Sequence, residues 1–289
     1  MTVVAAQRVQ QPSTIARRPV GNWWIYLLLI FGILLMVGPF LWMLLGSLKP
    51  QAEFLVTTPT FLPRAPTTDN YERLFSQLDF PRFFFNSSVV AGAVTAGNVL
   101  FCPMLGYALA KLPWRGKGLI MGLVLATLMV PAGITLIPNF VLMANLGFVN
   151  TYPGLILPFL VGPFGVFLTR QFMYSIPDEL LEAARIDGAN EWRIFWQVVL
   201  PITVPVLATL GILTFLGSWN SFLYPLVIAQ EPSMYTLPVA LATFATGQYQ
   251  ADHGMLMAGS VVLVVPVLII FILFQRWITE GIATTGLKG

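Results

Sequence analysis

The segment Glu182-Ala183-Ala184-Arg185-Ile186-Asp187-Gly188, followed by Val198-Val199-Leu200-Pro201, decides how this chain is interpreted. It belongs to a long run that is dense in both acids and bases. The neighbouring segments 118–169 and 194–230 contain no Asp, Glu, Lys or Arg. A charged, helix-forming segment between two apolar ones is expected at the water side of a membrane, where a soluble partner protein can reach it.

The composition indicates an integral membrane protein. Hydrophobic residues make up 57% of the chain, charged residues 9%, and the mean hydropathy is +0.79. Soluble domains carry about 25% charged residues. The net charge of +3 is too small to indicate nucleic acid as a partner, and the basic residues form no stripe; membrane lipid is the expected surroundings. Cys102 is the sole cysteine, so no intramolecular disulfide forms, and we expect it to be a small buried apolar residue.

Six apolar stretches are long enough to cross a bilayer, which takes roughly 20 residues. They are about 24–47, 84–110, 118–144, 153–172, 198–229 and 257–278. The polar turn 145–152 separates the third stretch from the fourth, and Trp219-Asn220-Ser221 marks the end of the fifth or a bend in it. The sequence therefore predicts an all-α membrane protein with a tail at 1–23 and a single transmembrane domain at 24–289.

The distribution of basic residues predicts the orientation. With both termini on one side, that side holds eleven Lys and Arg residues and the other side four. The eleven are Arg8, Arg17, Arg18, Lys111, Arg115, Lys117, Arg170, Arg185, Arg193, Arg276 and Lys288; the four are Lys49, Arg64, Arg73 and Arg82. This asymmetry predicts that both termini, and the charged segment around Glu182, are cytoplasmic.

The loop at 48–83 lies on the opposite side and contains one helical pattern. Asp69 and Glu72 have the spacing of a capping box, and apolar residues recur at helical spacing from Tyr71 to Leu78. The loop is therefore predicted to carry a short amphipathic helix on the outer face.

Absent residue types exclude several functions. One histidine and one cysteine far apart supply neither a catalytic group nor a metal site, and no phosphate-binding loop is present. The spans carry essentially no ionisable residues, whereas ion-coupled transporters commonly need them. If the protein transports a solute, its energy is expected to come from a partner, and the solute to be neutral or recognised by hydrogen bonds and aromatic faces. Prolines and a glycine are predicted to interrupt three successive spans, which favours a flexible pore over a rigid scaffold. They are Pro131, Gly133 and Pro138 in the third span, Pro158 and Pro163 in the fourth, and Pro201 and Pro205 in the fifth.

The charged segment itself predicts a helix–turn–helix. Ser175 and Asp178 have capping-box spacing, and Pro177 suits a first helical turn. Gly188 is a natural helix stop, after which Asn190 can cap a second helix. The first helix is short and acidic and could fit a groove on another protein, although a solvated connector is also consistent with the pattern.

The combination Glu-Ala-Ala, three residues, Gly, nine residues, an aliphatic residue, one residue, Leu-Pro resembles the cytoplasmic signature of permease subunits in bacterial and archaeal ABC importers. The match runs through Glu182, Ala183, Ala184, Gly188, Val198, Leu200 and Pro201. Isoleucine is more typical in that family where this chain has Val198. The resemblance implies the type I importer permease fold, with six transmembrane helices and a coupling helix at about 176–190, between the fourth and fifth, that docks into an ATPase subunit.

Further segments are similar to carbohydrate permeases of this family. They are the tail 275–289, Asp69-Asn70-Tyr71, the segment 131–138, and Trp219-Asn220-Ser221-Phe222. The likeness to the smaller, maltose-permease-G-like partner implies a heterodimer with a second permease, two copies of a cytoplasmic ABC ATPase, and an extracytoplasmic solute-binding protein. It also implies the bacterial inner membrane, with ATP and Mg bound by the ATPase subunits and no cofactor on this chain.

Two sets of site residues follow. The resemblance implies ATPase coupling by Glu182, Ala183, Ala184, Asp187 and Gly188, with Leu200 and Pro201 setting the exit angle into the fifth span. For the solute path, Asn139, Trp219, Asn220, Ser221 and Tyr224 supply the aromatic faces, amides and hydroxyls that bind sugars, although interfacial anchoring explains them equally well. The alternatives are import of glycerol phosphate or another polar solute, and a non-transporting membrane scaffold.

Overall fold

A computed structural model of the chain describes residues 23–56, 58, 60–246 and 252–286, apart from the side chains of residues 246 and 276–286. Regular structure within these ranges is entirely helical, as expected from composition. The helices are α1 (Trp23–Ser47), α2 (Gln51–Phe54), α3 (Asp69–Gln77), α4 (Phe80–Ala110), α5 (Lys117–Leu128), α6 (Ala132–Asn145), α7 (Tyr152–Ile156), α8 (Pro163–Tyr174), α9 (Asp178–Ile186), α10 (Glu191–Ile194), α11 (Leu200–Trp219), α12 (Leu223–Ile228), α13 (Leu237–Thr246) and α14 (His253–Gly286). The predicted N-terminal tail and the last residues of the similar C-terminal tail lie outside the described residues.

The described helices account for the six predicted spans. Five continuous apolar segments are long enough to cross a membrane: Trp23–Ser47, Phe80–Ala110, Tyr152–Tyr174, Glu191–Trp219 and His253–Gln275. The sixth is the pair α5 and α6, if the two helices together count as one span.

The third span, predicted at about 118–144 with interruptions, is divided between two helices. α5 and α6 meet at an angle of 107° after α5 ends at Leu128. Pro131 directly precedes α6 in an extended conformation, with φ −60° and ψ 135°. It has no N–H to donate to the Thr127 carbonyl, and its ring disfavours a helical Val130, so α5 cannot continue through it. The prediction that Pro131 interrupts this span is confirmed, and the interruption is a sharp turn rather than a kink.

The fourth and fifth spans are also discontinuous. The fourth consists of α7, a 3₁₀ turn at Leu157–Phe159, and α8, which starts at Pro163. The fifth ends at Trp219, and the short helix α12 follows after Asn220 and Ser221, as the sequence indicates. These breaks place backbone and side chains of residues 157–163 and 217–225 beside one another in the interior.

Contacts divide the described residues into two compact units, one up to residue 42 and one from residue 43 onward. The described part of the first is most of α1. In the second, α4 is central and packs along both α8 and α11, while α14 packs on α11 and α3. Gly106 permits the closest approach of α4 to α8, since a Cβ there would lie 2.6 Å from the Thr169 Oγ1 atom. The prediction of one transmembrane domain at 24–289 stays a prediction.

The loop at 48–79 contains the predicted amphipathic helix, α3, whose Leu74 is fully buried. The predicted capping box is wrong, since Thr68 is the N-cap residue and its side chain makes no capping hydrogen bond, while the Asp69 N–H donates to the Thr67 hydroxyl oxygen at 3.2 Å. The amide of Asn70 holds the helix instead, donating hydrogen bonds of 2.8 Å to the Ser47 and Lys49 carbonyls. An ion pair between Arg73 and Asp252 ties α3 to the start of α14.

Candidate docking and translocation sites

The N-terminus of α9 is held by a buried lysine rather than by the predicted capping box. Pro177 is the N-cap residue and has no side-chain hydrogen bond, while the Ser175 hydroxyl donates to the Phe172 carbonyl behind it, so the capping box is wrong. The Lys111 ammonium donates to the Asp178 carboxylate at 2.6 Å. This hydrogen bond and the positive charge lower the pKa of Asp178 below its ordinary value.

The C-terminus of α9 is closed by a glycine, as predicted. Gly188 has φ +80°, in the left-handed region that residues with a Cβ rarely adopt. Its N–H donates to the Arg185 carbonyl and the Ala189 N–H donates to the Ala184 carbonyl, each at 3.0 Å. These two bonds form a Schellman motif, which turns the chain sharply out of the helix.

A second turn of helix, α10, completes a hairpin with α9; residues 178–194 are called the docking hairpin below. The Asn190 side chain caps α10 by accepting a hydrogen bond of 2.9 Å from the Arg193 N–H, which confirms the predicted cap. The Glu191 carboxylate accepts from Arg185 Nε at 2.9 Å and from the Tyr107 hydroxyl at 2.6 Å. Glu191 therefore joins both helices of the hairpin to the end of α4.

The docking hairpin has one buried face and one free face. Leu181 is 1% exposed and packs with Ile194 and Phe195 in a core cluster, against which Ala184 also lies. On the other side Glu182, Ala183, Asp187 and Gly188 are exposed. Among the described residues the Glu182 carboxylate has no ion pair or hydrogen-bond partner. This free face is small, acidic and smooth.

Sequence reasoning missed Ile186 as part of the free face. Its side chain is 86% exposed. Residues 179, 182, 183 and 186 have the helical spacing of one face, so Ile186 extends the surface of Glu182 and Ala183. The sequence contained a signal for this, because an aliphatic residue on the same helical face as Glu179 and Glu182 is not expected to be buried in the core.

Leu200 and Pro201 lie where the docking hairpin enters α11. A π-helical turn at Phe195–Val199 precedes them. Pro201 has no N–H for the carbonyl of Gln197, four residues earlier, and a π turn is a common way to accommodate such a loss. Leu200 packs against the cluster beneath the hairpin, while Pro201 is exposed. The exit into α11 is thus shaped by this irregular turn.

Two cavities lie near the breaks in the fourth and fifth spans. The first, of about 360 Å³, is lined by residues of α4, α8, α11 and α12; the second, of about 410 Å³, is lined by α6 and the segment 221–224. Phe159, Ser221 and Tyr224 line both. The rings of Phe159 and Tyr224 meet edge to face at 4.8 Å. The cavities are therefore neighbours that share an aromatic pair.

The structure brings together three of the five residues expected on the solute path. Asn139, Ser221 and Tyr224 line the second cavity. The other two lie outside both cavities. Trp219 is 2% exposed and its indole N–H donates to the Leu263 carbonyl at 3.1 Å, while Asn220 is exposed and donates to its own helix at Leu216.

Other lining residues were missed by sequence reasoning. Thr214 and Ser218 of α11 line the first cavity with hydroxyls that have no hydrogen-bond partner among the described residues, and Phe159 contributes its ring. Asn98 also lines it, but its amide is committed to the Phe159 carbonyl and the Gly162 N–H at 2.7 and 2.8 Å. No pattern could have identified them, because single hydroxyls on apolar helices are usually packing residues.

No group of His, Cys, Asp and Glu side chains that could hold a metal ion occurs in the ranges the structure covers. The cavities are walled by apolar and aromatic groups with a few neutral hydrogen-bonding side chains, which suits a polar, uncharged solute.

The family described as "binding-protein-dependent transport system inner membrane component" matches residues 103–284 of this chain. Among relatives, the arabinooligosaccharides transport system permease protein AraQ of Halalkalibacterium halodurans is 39% identical over 274 residues, covering 94% of this chain and 98% of the relative. The sn-glycerol-3-phosphate transport system permease protein UgpE of Yersinia pestis bv. Antiqua is 30% identical, covering 89% of this chain and 94% of the relative.

A solved structure has the same fold. It is a bacterial ABC transporter involved in the import of the acidic polysaccharide alginate, and it aligns with a TM-score of 0.77 and 25% identity over 88% of this chain and 95% of that one.

Proposed function

This chain belongs to the family of binding-protein-dependent transport system inner membrane components, and we propose that it forms half of the translocation path of an ATP-driven carbohydrate importer. It is a transporter subunit and not an enzyme. The docking hairpin couples it to a separate ATPase subunit, in which ATP and Mg are bound.

The observation that carries this proposal is the construction of the docking hairpin. Its inner face is fixed to α4 and to the core cluster, whereas Glu182, Ala183 and Ile186 are exposed on a surface with few partners inside the chain. A short helix with a free acidic edge and an apolar tip is suited to enter a groove on another protein, as helices do in groove recognition. The coupling set is therefore Glu182, Ala183, Ala184, Asp187 and Gly188, with Leu200 and Pro201 at the exit.

The orientation proposed for this hairpin is cytoplasmic, with both termini on the same side. The eleven-to-four distribution of basic residues supports it. The complete assembly pairs this chain with a second, different permease, two ATPase copies and an extracytoplasmic solute-binding protein. ATP and the loaded binding protein each favour a different state of the path, which is what drives the change of access.

The solute path proposed for this half of the assembly runs through the two cavities. Asn139 and Ser221 offer an amide and a hydroxyl that have no partner within the part of the chain that the structure describes, and the ring of Tyr224 offers a flat apolar face. The Tyr224 hydroxyl itself donates to the Gly154 carbonyl at 2.7 Å, so its ring rather than its hydroxyl faces the solute. This combination favours a neutral sugar.

Import of glycerol phosphate is the second candidate. The relative UgpE supports it, since that protein belongs to a glycerol-phosphate system. Against it, no Asp, Glu, Lys or Arg lines either described cavity, so an anion would depend on charges from the partner permease.

The test is uptake by the purified complex. A tagged chain is isolated from its native membrane with its partners and reconstituted with its binding protein in liposomes that contain ATP. We expect ATP-dependent accumulation of a neutral oligosaccharide such as an arabino-oligosaccharide. Accumulation of glycerol 3-phosphate alone would favour the second candidate, and a chain that purifies without an ATPase would overturn the proposal.

A further inference from the structure

We infer that Tyr107 and Lys111, in and just after the last turn of α4, are positioning residues that transmit movement of the docking hairpin to the solute cavity. The inference rests on the proposed function, because it requires an ATPase that moves the hairpin. It adds a route for that movement which bypasses the connection along the chain.

Tyr107 and Lys111 form hydrogen bonds to the starts of the two helices of the docking hairpin. Residues 107 and 111 are four apart and therefore lie above one another on one face of α4. Lys111 donates to the Ile176 carbonyl and the Asp178 carboxylate, both at 2.6 Å, where the hairpin begins. Tyr107 donates to Glu191 at 2.6 Å, where the second helix begins. A tilt of the hairpin in either direction would therefore displace the C-terminal end of α4.

The α4 side of both contacts is shielded from water, whereas the Glu191 side chain on the hairpin is 43% exposed. Tyr107 is 4% exposed, and the Lys111 side chain is 6% exposed although its partner Asp178 is 73% exposed. Hydrogen bonds to charged groups are stronger than neutral ones and more so away from water. Because the donors Tyr107 and Lys111 are buried and each bonds a carboxylate, we expect these bonds to hold α4 to the hairpin when the hairpin is displaced.

The other end of this route is Asn98, which lines the first cavity. It lies nine residues before Tyr107, about 14 Å along the helix axis. Its side chain donates to the Phe159 carbonyl and accepts from the Gly162 N–H, at 2.7 and 2.8 Å. These two groups flank the break between α7 and α8, so any shift of α4 displaces the backbone that walls the cavity.

One feature of α4 could weaken the route, and α8 compensates for it. Pro103 lies inside α4 between Asn98 and Tyr107 and removes a helical hydrogen bond. Beside it, the Thr169 hydroxyl of α8 donates to the Cys102 carbonyl at 3.0 Å, and a Cβ on Gly165 would lie 2.7 Å from the Cys102 sulfur. Since α8 packs this closely, the proline segment is braced and α4 moves with α8.

The experiment measures solute molecules transported per ATP hydrolysed by the reconstituted complex with its binding protein. The variants are Tyr107→Phe, which loses only a hydroxyl, and Lys111→Met, which keeps the apolar stem. Tyr152→Phe is the matched control, because the Tyr152 hydroxyl donates at 2.6 Å to Asn86 at the far end of the same helix. We expect the transport ratio to fall about tenfold in the first two variants, the size of one lost charge-assisted hydrogen bond, and to stay unchanged in the control.

The outcomes separate this inference from the proposed function. ATP hydrolysis that continues while transport falls supports the relay, because a purely structural role would lower both together. An unchanged ratio in Tyr107→Phe and Lys111→Met overturns it while leaving the importer intact. Loss of the ATPase from both variant complexes also overturns it, since the two residues would then only hold the hairpin in shape. Absence of an ATPase from the unaltered complex would instead refute the proposed function.

Discussion

The docking hairpin and the two cavities use their polar side chains in opposite ways. In the hairpin, Arg185 binds Glu191 and Lys111 binds Asp178, so these charges are paired, whereas Glu182 on the free face has no partner among the described residues. In the cavities, polar groups are few, and several are free on the inside. We infer that paired charges make the hairpin rigid, whereas each cavity side chain contributes only a small part of the affinity for the solute. Substitutions should therefore act steeply in the hairpin and gradually in the cavity.

Charge reversal at the free face should have the largest effect. We expect Glu182→Lys to lower ATP-dependent uptake by about tenfold or more, because unfavourable charges facing each other across an interface cost several kcal/mol. Uptake into liposomes and the amount of co-purified ATPase are the measurements. Arg115→Glu changes an exposed charge in the turn between α4 and α5 and serves as the matched control. Equal uptake by both variants would mean that the free face of the docking hairpin does not contact the ATPase.

The turn of the hairpin should be sensitive to backbone conformation alone. No atom lies within 4 Å of a Cβ built on Gly188, so a side chain there meets open space. The left-handed conformation nevertheless costs a residue with a Cβ roughly 1–2 kcal/mol, and we expect Gly188→Val to lower uptake about tenfold. Gly188→Asn should be milder, since asparagine tolerates this conformation. Similar losses in both variants would show that the surface, rather than the turn, is affected.

Removal of a cavity hydroxyl should have a graded effect on affinity. We expect Ser221→Ala to raise the KM for uptake about fivefold, the size of one lost hydrogen bond, with little change in the maximal rate. Ser260→Ala is the control, because the Ser260 hydroxyl bonds the Leu256 carbonyl of its own helix at 2.8 Å. If the KM of Ser221→Ala equals that of the unaltered protein, Ser221 does not contact the solute, and the contacts would be assigned to the partner permease.

The smallest effect is expected from the exposed end of the Lys111–Asp178 pair. The pKa of Asp178 is lowered from its ordinary 3.8 by the hydrogen bond from Lys111. A lowered pKa gives stability that is complete above the ordinary value and is lost as pH falls through the lowered one. Asp178→Asn should therefore melt slightly below the unaltered protein at pH 7, and the gap in Tm should close at pH below 3.8. A gap that is constant with pH would contradict this.

The helix ends of the hairpin were largely predictable because they depend on neighbours in the sequence. Gly188 and Asn190 act through their own backbone and the next few residues, and the structure confirms both. The capping boxes at Asp69 and Ser175 failed, since tertiary partners satisfied those regions instead. Asn70 holds α3 through the Ser47 and Lys49 carbonyls, a contact over more than twenty residues that no local pattern encodes.

The cavities were less predictable for the same reason. Trp219 and Tyr224 are both aromatic residues near the end of the fifth span, yet the chain bends between them. Trp219 packs into a core with Phe80 and Leu237, whereas Tyr224 faces the cavities. Which way each ring points depends on the bend at Asn220 and on the neighbouring α6 and α14. Sequence reasoning could identify the bend but not the direction of each ring.

Cross-linking from position 183 tests most directly the claim that the free face of α9 docks on an ATPase. Cys102 is the sole cysteine and is buried, so Ala183→Cys introduces a single accessible thiol. A short thiol-reactive cross-linker applied to native membranes should join this position to the co-purifying ATPase, and Arg115→Cys should give no such product. A complex that contains the ATPase but forms no cross-link at position 183 would contradict the docking role of the hairpin.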